Sequence, residues 1–189
     1  MTAELPSEPI DAVAAWQRLS SVVVHSSPAF QVRQDEVVGP DGGHEACTHV
    51  VVPASVTVLA VDDQDRVVLT RQWVYTHGGT EWRLPGGPVT AADDDPAAAA
   101  RRELADSTGL RASVWTRIGR VHGADLVCDH VEHLFRADGV TAGDRLRRRT
   151  PRMRRVPFRE VVDLVRLGRL PHAGSGHAVL AEALRRTGS

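Results

Sequence analysis

The 189-residue chain has no lysine: all 23 of its basic residues are arginine. That absence fits the codon usage of a GC-rich genome better than selection for bidentate anion contacts, so it excludes little by itself. Cysteine is almost as scarce. Cys47 and Cys128 stand without CxxC or other metal-ligand spacing, which excludes a disulfide framework and a thiolate metal centre. Neither sign of charge is in excess. The formal net charge is -1 with 25% charged residues, so the molecule as a whole is neither a polycation built for nucleic acid nor an acidic tail protein. No apolar run approaches the roughly 18 residues of a membrane span, and the opening stretch MTAELPSEPI lacks the basic and apolar segments of a secretory signal. A soluble, cytoplasmic protein with no membrane partner is expected.

A chain of this length buries one core and carries one site. Residues 11–19 (DAVAAWQRL) are compatible with a short helix. Strand-like texture follows in SVVVH from Ser21 and in FQVRQDEVV, and the turn PDGG at 40–43 sends HEACTHVVV back antiparallel. SVTVLAV (55–61) and RVVLTRQWV (66–74) are stronger strands, and DDQD between them suits a hairpin at the centre of a sheet. EWRLPGGPV is a short extended piece ended by Pro85 and the glycines. Asp93, Asp94 and Asp95 precede Pro96 at a helix start, and the helix runs to Gly109 as its stop. WTRIGRVH and HVEHLFRA form a further strand pair. Phe158, Val161, Val162 and Val165 then repeat at helical spacing, and AVLAEALRR closes the chain as a last helix. Strands first, one helix, more strands, then helices: the order predicts an α/β fold with a mixed sheet and helices on its faces.

On the central helix, Glu103, Asp106 and Ser107 share one face, while Ala97, Ala100 and Leu104 turn toward the sheet. A hard cation such as Mg²⁺ takes a few carboxylates and completes its shell with water and phosphate oxygens, so an acidic helix face beside a glycine loop suits a pyrophosphate site.

GGPVTAADDDPAAAARRELADSTGL (86–110) resembles the Nudix box, G-x5-E-x7-R-E-U-x-E-E-x-G-U with U a bulky aliphatic residue. Arg102, Glu103, Leu104, Gly109 and Leu110 fall in register. Asp94 takes the place of the isolated glutamate, and Gly87 serves as the first glycine with one extra residue in the loop. VTVLAVDDQDRVVLTRQWVY followed by EWRLPGG is similar to the ADP-ribose pyrophosphatase branch of that family.

The resemblance implies a Nudix-like α/β/α sandwich with a central mixed sheet and N-terminal antiparallel strands, divided into an extension (1–52) and a Nudix domain (53–189). It implies water attack on a nucleoside diphosphate derivative, ADP-ribose or nucleotide-sugar-like, with Mg²⁺ or Mn²⁺, in a homodimer joined partly through the N-terminal strands. Glu103 would be the principal metal ligand, with Asp106, the Gly86 carbonyl and Asp94 as further ligands, and Arg102 would pair with Asp94 to hold the loop. Gly87 and Arg71 would meet the substrate, Arg71 being otherwise an edge-strand arginine in water. Trp82, like Trp73 and Tyr75, either stacks on a base or packs in the core.

Three departures point to reduced or altered activity. Ser107 stands where a metal-binding glutamate is expected, Arg83 replaces an acid of the related WELP motif, and an arginine-rich run (Arg145–Arg155) occupies a loop that is acidic in many relatives. A lost general base costs about 10²- to 10⁴-fold in rate. The alternative is a non-catalytic module of the same fold that binds a nucleotide, nucleic acid or protein. Arg145–Arg155 suits a solvated loop better than a nucleic-acid contact, lacking interleaved aromatics. His130 and His133 project to opposite faces of a strand and make no zinc site. Gly174-Ser175-Gly176 is no nucleophile elbow and serves to start the last helix.

Overall fold

The computed structural model describes residues 15–125, 127–143 and 152–188. They fall into two compact units, one holding the first three strands with Ala124–Asp129, the other holding Pro53–Gly123 and the described residues from His130 onward.

The first unit is an antiparallel sheet of β1 (Gln17–Ser26), β2 (Gln31–Val38) and β3 (His44–Val51), in that order. The β2–β3 turn forms where PDGG predicts it. Gly43 donates its amide to Asp41 Oδ1 at 2.9 Å, and Gly42 adopts a φ of 80°, which favours glycine. The helix expected over 11–19 is corrected across its described part. Gln17, Arg18 and Leu19 belong to β1, in a ladder running from Gln17↔Val38 to Ser26↔Gln31; residues 11–14 lie outside the described residues. A nine-residue patch is too short to sustain a helix unaided, whereas β2 supplies ladder partners and Val22–Val24 suit a pleated surface.

The second unit comprises β4 (Ser55–Ala60), β5 (Arg66–Val74), β6 (Gly79–Arg83), β7 (Gly86–Pro88), α1 (Pro96–Thr108), β8 (Leu110–Arg111), β9 (Val114–Val121), β10 (Glu132–Asp138), β11 (Thr141–Ala142), β12 (Arg152–Pro157), α2 (Phe158–Arg166) and α3 (Ala173–Thr187). Its main sheet has the order β7-β4-β10-β9, with β4 and β10 parallel and the other pairs antiparallel. A second sheet has the order β12-β5-β6, and β11 pairs with β8.

Strand alternation divides the core in two. Val56, Val58 and Ala60 of β4, with Phe135 and Ala137 of β10, pack against Ala99, Ala100 and Leu104 of α1. Leu59, Val61 and Leu134 project the other way, against Val161 of α2 and Ala178 and Val179 of α3. The main sheet is therefore covered on both faces, as the expected α/β/α sandwich requires, which is why β4 carries apolar residues on both of its faces. Leu104 is fully buried; its replacement by alanine would cost about 2–5 kcal/mol.

The hairpin expected between β4 and β5 is reduced to a single bridge, Val61↔Val67. Asp62 draws the chain round by accepting from the amides of Gln64 (3.0 Å) and Arg66 (2.9 Å). The two strands then diverge, because each is already flanked on both sides within its own sheet. No helix among the described residues is long and apolar enough to cross a membrane.

Candidate active site

The box helix starts as its sequence dictates. The Asp95 side chain caps α1 by accepting from Ala98 N at 2.6 Å, Pro96 opens the first turn, and Gly109 ends it with a φ of 69°. Arg102 holds the preceding loop, but not through Asp94. Its Nε donates to Asp93 Oδ1 at 2.7 Å, its Nη2 to Asp93 Oδ2 at 2.8 Å and to the Pro88 carbonyl at 2.9 Å. Asp93 is turned inward because Thr90 donates its amide and hydroxyl to Oδ2, both at 2.8 Å. Asp94 is left exposed. Counted from Gly87, the acid now falls at the family's five-residue spacing, and the extra residue lies after it. The Arg102 guanidinium holds the Asp93 carboxyl well below the usual carboxylate range, and Asp93 in turn raises Arg102.

Glu103 is 2% exposed. Arg102 Nη1 donates to its Oε1 at 2.5 Å. Gly87 lies directly over its carboxyl group: a Cβ there would fall 2.5 Å from Glu103 Cδ. A Cβ on Gly86 would collide with the Val56 carbonyl oxygen. The pair of glycines thus lets β7 lie close against both β4 and Glu103, which is the close-approach role of glycine.

Beside them lies a cavity of about 260 Å³. Gly86, Gly87 and Glu103 line it together with Thr57, Glu132 and His172, and β5 and β6 add Gln72 and Arg83. Glu132, 6% exposed, accepts from the Thr57 hydroxyl and lies 3.6 Å from His172 Nε2. The state of His172 follows from its other nitrogen. Leu84 N donates to Ser175 Oγ at 3.0 Å, so the Ser175 hydroxyl hydrogen is free to go to His172 Nδ1, 2.9 Å away, and the Ser175 amide also points at Nδ1, at 3.3 Å. Nδ1 is then an acceptor and Nε2–H faces Glu132 and the cavity. Burial lowers the His172 pKa, with Arg83 adding to the effect against the opposing pull of Glu132, which keeps this neutral form.

The structure thus brings Glu103, Gly86 and Gly87 together, with Arg102 behind them. Asp106 is half-buried and does not line the cavity. Ser107 is buried and donates its hydroxyl to its own helix, to Glu103 O at 2.6 Å. Arg71 and Trp82 face each other in the β5–β6 register, on the opposite side of the ribbon from Gln72 and Arg83. Arg71 donates to Thr80 Oγ1 at 2.7 Å, and Trp82 packs against the core with Arg154 over its ring. Trp73 and Tyr75 are exposed. Of the arginine run, Arg145–Arg149 lie outside the described residues, while Arg152, Arg154 and Arg155 are in β12 and not in a loop. Arg155 donates to Asp62 Oδ2 at 3.0 Å. His130 lies 3.0 Å from Ser55 Oγ, and His133 shares the α1 side of β10 with Phe135.

Glu132, Thr57, Gln72 and His172 were not singled out by sequence. Glu132 sits between the two histidines that drew attention, and His172 announces itself only as a polar residue before a helix. A larger cavity of about 530 Å³, between β9, β10 and α3, is lined by Arg117 and by a paired cluster in which Arg136 donates to Asp138 at 2.8 Å and to Glu182 at 2.5 Å, and Arg185 to Glu182 at 2.8 Å.

Helix, clamp and glycine loop agree with comparisons to known proteins. The NUDIX domain model matches residues 51–180. The chain belongs to the Nudix family. It is 30% identical over 125 residues to an ADP-ribose pyrophosphatase of Mycobacterium tuberculosis, a match covering 66% of this chain and 60% of that protein. It is 26% identical over 168 residues to a CMP-5'-(N-acetyl-N-hydroxy-3-aminopropyl)phosphonate hydrolase of Streptomyces rubellomurinus, covering 88% of this chain and 81% of that one. A solved ADP compounds hydrolase shares the fold, with a TM-score of 0.79 at 17% identity over 92% of this chain and 95% of its own. The resemblance to the ADP-ribose pyrophosphatase branch is borne out.

Family members generally use divalent metals. Among the described residues no three His, Cys, Asp or Glu side chains form a ready-made cage. The cavity does hold Glu103 and Glu132, and Mg²⁺ commonly needs one or two carboxylates when substrate phosphates and water complete its shell. The donor set fits a cation that arrives with its substrate.

Proposed function

We propose that this chain is a Nudix hydrolase of a nucleoside diphosphate derivative, ADP-ribose or a nucleotide-sugar-like compound, with turnover below that of members carrying the full acidic set. The observation that carries this reading is the buried Glu103 carboxylate beneath Gly87, opening on a cavity shared with Glu132, His172 and Arg83. The names of the relatives support the substrate class. In the reaction, water forms a bond to one phosphorus, the bridging P–O bond breaks, and two phosphate monoesters leave. Glu103 and Glu132 are the groups able to take the proton of that water, while His172 Nε2–H and Arg83 offer donors to phosphate oxygens. Mg²⁺ or Mn²⁺, held by Glu103 and substrate, would neutralise phosphate charge.

We read residues 1–52 as an extension and 53–189 as the catalytic domain. β1 supports self-association into a homodimer: it is an edge strand exposed throughout, carrying Leu19, Val22, Val23 and Val24. The test of function is a hydrolysis screen of nucleoside diphosphate sugars, dinucleotides and nucleotides with Mg²⁺ or Mn²⁺. Phosphate-ester release that Glu103→Gln removes is expected; turnover unchanged in that variant contradicts the reading. One observation favours a second reading, a binding module without turnover: Ser107 is engaged with its own helix backbone. That reading expects thermal stabilisation by ligand without metal and no product across the whole panel.

A further inference from the structure

Arg83 is the feature that the family's chemistry does not explain. It lines the cavity with Glu103 and Glu132, at the end of β6, its side chain 22% exposed. Its Nε is buried and, among the described residues, has no hydrogen-bond partner. The ion pair it makes is loose, with Nη2 4.0 Å from Glu81 Oε2, an oxygen that has no hydrogen-bond partner of its own among the described residues, while Glu81 Oε1 bonds His77 Nδ1 at 2.6 Å. Three other arginines of this unit are held in structural bonds: Arg102 on Asp93, Arg155 on Asp62, Arg136 on Glu182. A buried N–H without a partner is costly, and bound water or a ligand is what completes such a group. A planar guanidinium matches two phosphate oxygens.

We propose that Arg83 is a direct phosphate contact that makes diphosphate binding in this cavity independent of the divalent cation. Gln72 on the neighbouring strand and His172 Nε2–H, both lining the same cavity, add neutral donors. Where Ser107 no longer offers a carboxylate to a cation, the protein supplies the positive charge itself. Binding and turnover are thereby separated: the cation is needed for hydrolysis and not for capture. The inference rests on the reading of this cavity as a diphosphate site.

The test is calorimetric titration of the full chain with ADP-ribose and with inorganic pyrophosphate, each in EDTA and in Mg²⁺. Wild type is expected to bind in EDTA, and Arg83→Gln to lose about 10- to 100-fold in affinity there, the effect of removing a charge-assisted hydrogen bond. Arg83→Glu, which restores the residue type of the related motif, is expected to bind only when Mg²⁺ is present, a gain of dependence that misfolding does not produce. Wild-type binding that requires Mg²⁺ and is unchanged in Arg83→Gln overturns this inference and leaves the proposed function standing. No binding of either probe by wild type under any condition overturns both.

Discussion

The two halves of the box helix have had different fates. The first half is fully tied in: Asp95 caps it, Arg102 bonds Asp93 and the Pro88 carbonyl, and Glu103 is fixed between Arg102 and Gly87. In the second half, Asp106 stands outside the cavity, and Ser107 and Thr108 return their hydroxyls to carbonyls one turn back, at 2.6 and 2.5 Å. The first half both braces the loop and reaches the cavity; the second half does not line it. The clamp and the glycines brace the loop against the helix, and under the proposed function the reaction would rest on the few carboxylates that reach the cavity.

The largest effect is expected at the junction of scaffold and site. Glu103→Gln keeps shape and burial but removes the charge, and should lower kcat by about 10²- to 10⁴-fold, the range for loss of a group handling protons or charge in the transition state, as read by steady-state product release. Its urea midpoint should fall as well, because Arg102 loses a buried charged partner. Gly86→Ala tests the glycine slot from the opposite side. A methyl group directed at the Val56 carbonyl must displace β7 or β4, and overpacking of this kind costs about 1–3 kcal/mol, measurable in urea unfolding. Wild-type stability in that variant would show that the close approach of β7 is unnecessary.

Acid should act on the scaffold. Burial alone would raise Asp62, but hydrogen bonds from Arg66 and Arg155 lower it to about 2; burial would likewise raise Glu182, which Arg185, Arg186 and Arg136 hold at about 2. Both groups ionise more readily folded than unfolded, where the values are 3.8 and 4.5. Their contribution is complete above pH 4.5 or so and is lost as pH falls toward 2. Urea unfolding between pH 6 and pH 3 should show that decline, and Ser107→Ala should show the same profile. The smallest effect is that of Ser107→Ala at neutral pH. A mid-helix serine bonded to its own backbone contributes little there, so a change of less than about 0.5 kcal/mol is expected.

What was legible in the sequence was local. The Asp-Pro start and glycine stop of α1, the face carrying Glu103 and the PDGG turn each rest on residues a few positions apart. What was not legible depends on register. Thr57 and Glu132 are 75 residues apart and meet because β4 and β10 run parallel with Thr57 opposite Leu134. His172 joins them only through the packing of α3. Asp93 and Asp94 are indistinguishable by composition; the Thr90 turn decides between them. Arg71 and Trp82 failed to reach the cavity for a similar reason, since a strand sends neighbouring side chains to opposite faces and the sequence does not say which face the cavity occupies.

We propose that the serine at position 107, in the second half of the box helix, lowers turnover. It is tested most directly by ADP-ribose hydrolysis in Mg²⁺ by Ser107→Glu beside wild type, with Mn²⁺ affinity followed by electron paramagnetic resonance. The account predicts tighter Mn²⁺ binding and turnover raised by about tenfold or more, as expected for a regained charge contact. Mn²⁺ affinity and turnover no higher than those of wild type, in a variant that folds normally, would contradict it.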